Sequence, residues 1–216
     1  MNFLDLFSRY GFITLYVIVL TFGFYFRKKY NHNSALRLWL YFIIYSFLSE
    51  VIGYYFVQIL EIRTTLINNT WFIVSIFFYM LFFLSKIESR LKKNAIKSLV
   101  LVYFIFIILS VLFFNNYVNE SMTNSFIIGA LFIVVTIMLF FTELLKSDVV
   151  LYIQKSLFFW ISIGVLIFNI GLLPVLIIGE LIDWQGIFNY LIIILNIIMA
   201  GCFITGFLMS NKEFNS

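Results

Sequence analysis

Glu50 makes the sharpest chemical demand in this sequence, because it is a carboxyl placed inside a long apolar run, in Ser46-Phe47-Leu48-Ser49-Glu50-Val51-Ile52-Gly53-Tyr54. At helical spacing Ser46, Ser49, Glu50, Gly53 and Tyr54, with Gln58 two turns on, share one face. An ionisable group at membrane depth must be neutral, paired or hydrated. Arg37 lies more than three turns away on the same segment, so a cation from this helix cannot pair with it. The expected neighbours of Glu50 are therefore polar groups such as Tyr54, Tyr79, Asn169 and Asn196. Such a face either holds a ligand or a proton, or simply glues helices together.

Weaker stripes recur at seven-residue steps: Gly129, Thr136 and Glu143; Lys155, Ser162 and Asn169; and Asn189, Asn196 and Ser210. Small residues let helices approach and Ser, Thr and Asn bond across them, so structural glue is the plain reading of these. Glu143 is expected to meet Lys146 or water. Glu180 and Asp183, one turn apart, form an acidic pair that a solvated loop explains.

Several chemistries are excluded. His32 is the only histidine and Cys202 the only cysteine, so no metal-ligating cluster and no intramolecular disulfide are expected. Cys202 reads as a small packing residue. The final apolar run contains no lysine to anchor a retinal Schiff base. No phosphate-binding glycine loop, nucleophile elbow or Ser/His/Asp set is present. No cofactor is implied. The triplets Asn68-Asn69-Thr70 and Asn119-Glu120-Ser121 match a glycosylation pattern that arises readily by chance.

The elements that must position these residues follow from composition. A chain of 216 residues that is 63% hydrophobic and only 11% charged cannot hide its apolar surface from water, so lipid is its solvent. Seven apolar runs are long enough, or nearly so, to cross a bilayer: Tyr10–Phe26, Leu36–Leu60, Trp71–Ile87, Ser98–Phe114, Ser125–Leu145, Leu157–Ile178 and Ile187–Ser210. Backbone groups in lipid must be bonded internally, and the runs are too long for barrel strands. The fold class is all-α, a single polytopic transmembrane bundle of about seven helices spanning residues 1–216. The first run is followed by Arg27-Lys28-Lys29 rather than a cleavage site, and reads as a retained span. The third is barely long enough; Lys86 must snorkel from it, and it is the one expected to be re-entrant if any is. Pro174, between Gly171 and Gly179, is expected to kink the sixth.

Charge alternates around the loops. Twelve of the fourteen basic residues follow runs one, three, five and seven, and only Arg9 and Arg63 lie opposite, beside Asp5, Glu61, Glu120, Glu180 and Asp183. The positive-inside rule then puts the N-terminus outside and the C-terminus in the cytoplasm. Lys86, Arg90, Lys92, Lys93 and Lys97 crowd one cytoplasmic loop, a surface suited to anionic lipid or to a docking protein. The net charge of +4 therefore speaks for a membrane surface and not for nucleic acid.

The Ile-, Phe-, Asn- and Lys-rich vocabulary, with the order Ser49-Glu50, Asn69-x-Trp71, Phe78-Tyr79, Phe159-Trp160-Ile161 and Asn196, resembles that of small bacterial seven-helix membrane proteins. The resemblance implies a multi-pass protein of the bacterial inner membrane and carries no activity with it. In topology the chain is similar to the membrane sensor modules of bacterial kinases and cyclases. The leading expectation is a binding or sensing module that holds a small or lipidic ligand and couples to a protein partner or a second copy of itself. A transporter or channel subunit, or an accessory protein of a defence or secretion system, is the alternative. An intramembrane enzyme built on Glu50 ranks behind both, because no nucleophile or metal set accompanies the carboxyl.

Overall fold

The computed structural model describes residues 3–60, 63–113, 116–146, 148–181 and 186–215, with side chains from Tyr10 onward. Glu61, Asn115 and Asp183 lie outside the described residues, as do the side chains of Asp5, Arg9, Gln58 and Glu180. Seven α-helices run through the described residues: α1 Phe3–Tyr25, α2 Ser34–Gln58, α3 Thr65–Leu84, α4 Arg90–Phe113, α5 Thr123–Leu144, α6 Leu157–Leu181 and α7 Gly186–Met209. No strand occurs among them. Helices α2 to α7 are each long and apolar enough to cross a bilayer, so the chain is a multi-pass membrane protein.

Two helices start well before their apolar runs. Helix α3 begins at Thr65, six residues ahead of Trp71, and ends at Leu84, so its 20 residues are long enough to cross a bilayer and Lys86 lies in the turn after it. Helix α4 begins at Arg90, eight residues ahead of Ser98. Polar residues serve as first turns where the chain leaves the bilayer. Helix α6 continues unbroken through Pro174 to Leu181.

The contacts divide the chain into two compact units, Met1–Glu50 with Leu144–Ser216, and Val51–Glu143. In the first unit, α6 and α7 form the closest antiparallel pair. Small residues set their separation: a Cβ added at Gly164 would stand 3.0 Å from the Cys202 Cβ and 3.3 Å from the Met199 carbonyl oxygen. Cys202 is thus a packing residue, as expected from its type.

One end of this unit is tied by polar groups. Asn33 caps α2, its Oδ1 accepting from the backbone N–H of Ala35 (2.9 Å) and Leu36 (3.2 Å). The Lys29 ammonium donates to the Phe207 and Leu208 carbonyls, at 3.0 and 2.9 Å, on the last turn of α7. A cation belongs there, where unpaired carbonyls concentrate negative charge. Partial burial pulls the Lys29 ammonium below its ordinary pKa. Asn215, fully buried, accepts from the Leu157 N–H at the start of α6 (2.8 Å) and donates to the Lys29 carbonyl (3.2 Å). The beginning of α6 and the ends of α1 and α7 are therefore clasped together. The Tyr30 hydroxyl donates to the Gly23 carbonyl and its ring packs on Phe207; burial raises its pKa. Trp39 lies edge-on to Phe203, with ring centroids 5.0 Å apart, and completes this aromatic core.

In the second unit α3 packs on α4 and, through Phe72 and Phe126, on α5, the two rings stacking at 4.2 Å. Gly129 admits Ile76, whose Cδ1 would stand 2.2 Å from an added Cβ. Asn69, almost fully buried, donates to the Tyr117 and Glu120 carbonyls at 2.8 and 2.9 Å and accepts from the Met122 N–H at 3.3 Å. Its amide is wholly committed to holding the α4–α5 loop.

Candidate functional site

Glu50 stands about two turns before the end of α2 and is half-buried. Its polar company includes a residue without any mark in the sequence: Tyr16 on α1 hydrogen-bonds Ser46 and lies within electrostatic reach of Glu50. Ser46, one turn before Glu50, is 2% exposed. Among the described residues Glu50 has no ion pair. Antiparallel α1 and α2, joined by the short Arg27–Lys29 turn, bring Tyr16, Ser46 and Glu50 together. Measured along the helix axes from the clasped end, they lie about 13, 18 and 24 Å deep.

Beside Tyr16 is a small, half-open hollow of about 20 Å3 bounded by α1, α2 and α7. Its wall is apolar, with Leu15, Val19, Ile43, Met199 and Phe203, and its polar members are Tyr16 and Asn196. Asn196 reaches it from about 20 Å along α7, close to the depth of Ser46. A shallow apolar groove of this size, with polar groups beside it, offers a surface for the apolar part of a lipid or small molecule and does not enclose one.

The two asparagines expected to bridge helices instead bond within their own. Asn169 Nδ2 donates to the Val165 carbonyl and Asn196 Nδ2 to the Ile192 carbonyl, both at 2.8 Å. In hydrocarbon the carbonyl one turn back is an acceptor within reach of the side chain without any movement of a neighbouring helix. Asn169 is buried and Asn196 half-buried, while Asn189 on the same stripe is exposed. Ser49 is half-buried on α2. Tyr54 and Tyr79 belong to the second unit, where Tyr79 is 7% exposed and stacks with Phe83 at 6.5 Å.

On the basic surface one lysine, Lys92, is bound to a carboxyl. Lys92 Nζ meets Glu143 Oε2 at 2.5 Å, and Glu143 Oε1 accepts from the Glu88 and Ser89 N–H groups at 3.0 and 2.9 Å. Glu143 thus caps the start of α4, and its cation is Lys92 where Lys146 or water was expected. Lys93 is half-buried, while Arg90 and Lys97 are exposed. Lys86 is half-buried beside Ile87, and partial burial pulls its ammonium below the ordinary lysine range.

Among the described residues no group of His, Cys, Asp or Glu is placed to hold a metal ion. Comparison with protein-family models, with curated proteins and with solved structures returned no match to this chain.

Proposed function

We propose that this protein is a membrane-embedded binding or sensing module in which the hollow bounded by α1, α2 and α7 takes a small or lipidic ligand. Tyr16, Ser46 and Glu50 receive its polar end. The observation that carries this reading is the placement of Tyr16, which lines an apolar hollow and at the same time hydrogen-bonds Ser46 beside Glu50. A carboxyl with no cation among the described residues keeps two acceptor oxygens for a ligand's donor group, so a ligand with one polar group and an apolar body suits the groove. Native mass spectrometry of detergent-extracted protein tests it. Wild type should carry a retained small molecule, and Ala200→Leu, which fills the hollow from α7, should lose it. Equal retention by both proteins would sink the proposal.

In this reading the chain crosses a bacterial inner membrane seven times. Helix α1, at 23 residues, is about 35 Å long, a length that supports counting it as the seventh span. The clasped end, with Arg27, Lys28, Lys29, Lys155 and Lys212, faces the cytoplasm, as does the loop carrying Lys86, Arg90, Lys93 and Lys97. That loop contacts anionic lipid and offers the surface through which ligand occupancy reaches a protein partner or a second copy. A reporter active only in the cytoplasm should give signal when fused after Ser216 and none when fused before Met1. The reverse pattern would overturn the orientation.

A further inference from the structure

We infer that the segment Asp148–Lys155, with Leu145 just past the end of α5, forms an in-plane anchor that seats Leu145, Leu151 and Tyr152 at the boundary between headgroups and acyl chains of an anionic phospholipid leaflet. The segment Asp148–Lys155 is a pair of short 3₁₀ turns kinked at Tyr152 (φ −124°, ψ 23°), and it leads directly into α6 at Leu157. Its apolar residues therefore sit at the level where a membrane span begins. They are not covered by the protein: Leu151 is 80% exposed, Leu145 64% and Tyr152 47%. Large apolar side chains this bare at the mouth of a span are placed for lipid, as in amphipathic segments that lie flat on a bilayer.

The polar groups around them fit the same partner. Lys155 holds its ammonium over the Tyr152 ring at 4.7 Å and over Phe214 at 5.6 Å, keeping a cation beside the exposed apolar residues. The Asn211 N–H donates to the Lys155 carbonyl at 2.9 Å, which brings exposed Lys212 to this end. Lys146 is exposed on the other flank. Trp160, one turn into α6, donates its indole N–H to the Gln154 carbonyl at 2.8 Å, the arrangement of an aromatic residue at a membrane boundary. Apolar side chains ringed by cations match acyl chains beneath phosphate headgroups.

The test uses the full chain on a Cys202→Ser background, reconstituted in vesicles of phosphatidylcholine with or without phosphatidylglycerol. Leu151→Cys, Leu145→Cys and Gln154→Cys each receive one fluorophore. A nitroxide placed just below the lipid headgroup should quench positions 145 and 151 at least about two-fold more than position 154, and a water-soluble quencher should show the reverse order. Phosphatidylglycerol should widen the difference, and Lys146→Gln with Lys155→Gln should narrow it. If Leu151→Cys fails to fold, Val150→Cys replaces it as the apolar probe. Aqueous access at 145 and 151 equal to that at 154 would overturn the anchor and leave these side chains to a protein partner. Quenching that ignores phosphatidylglycerol would overturn its anionic preference.

Discussion

Two carboxyls near the ends of membrane helices have opposite fates. Glu143, in the last turn of α5, meets a lysine and two backbone N–H groups, all within hydrogen-bond distance. Glu50, two turns from the end of α2, has hydroxyl company from Tyr16 and Ser46 and no cation among the described residues. A carboxyl whose lone pairs are filled by fixed donors is an architectural part, because any ligand would have to displace an ammonium and two amides. A carboxyl among hydroxyls, beside an apolar hollow, keeps capacity for an exchangeable partner. Burial alone does not separate the two. The number of fixed donors does.

The largest effect should come from dismantling the satisfied carboxyl. Glu143→Ala leaves the Glu88 and Ser89 N–H groups and the Lys92 ammonium without their acceptor and uncaps α4. A charged hydrogen-bonded group of this kind contributes on the order of 2 kcal/mol, less than a fully buried one because its side chain is 20% exposed. Denaturant titration in mixed micelles should show the midpoint falling accordingly. An unchanged midpoint would mean that Glu143 is no more committed than Glu50 and would erase the contrast.

A smaller and more discriminating effect separates adjacent lysines. Lys92→Gln removes the cation of the pair and should cost about 1 kcal/mol, whereas Lys93→Gln should stay within about 0.5 kcal/mol of wild type. The same denaturant titration reads both. Equal losses would show that the loop acts through its summed charge, with no special place for the Lys92–Glu143 pair. Partner or lipid binding lost in Lys93→Gln at full stability would instead mark Lys93 as part of the working surface.

The membrane class is legible in the sequence because hydropathy is a local property, read one run at a time. The starts of α3 and α4 are not: Asn69 looks like a loop residue until its amide is seen bonded to the Tyr117 and Glu120 carbonyls, about fifty positions away. Lys92 looks like a solvated charge until Glu143, 51 positions on, is seen beside it. Glu50 and Ser46 stand out by spacing within one helix. Tyr16 does not, since a tyrosine in an apolar run carries no mark of the helix it will face, and only the α1–α2 turn brings it to Ser46. Asn169 and Asn196 are legible as polar groups but their partners are not, because an intrahelical carbonyl one turn away competes for the same amide.

The smallest expected change in stability is the one that decides the function. Glu50→Gln keeps the size of the side chain and its ability to hydrogen-bond Tyr16 or Ser46, and removes only its capacity to titrate and to accept with two equivalent oxygens. Because Glu50 has no ion pair to lose among the described residues, the midpoint should move by less than about 0.5 kcal/mol. Retention of a ligand is a separate measurement. If the carboxyl receives the polar end of the ligand, Glu50→Gln should lower the retained fraction while Glu143→Gln, on a carboxyl already spent on Lys92, should leave it unchanged. Full retention in Glu50→Gln, together with unfolding in Glu50→Leu, would reduce Glu50 to the same architectural role as Glu143. Loss of stability in Glu50→Gln comparable to that of Glu143→Ala would also make Glu50 architectural, since a group so dependent on its charge must have a fixed counter-charge.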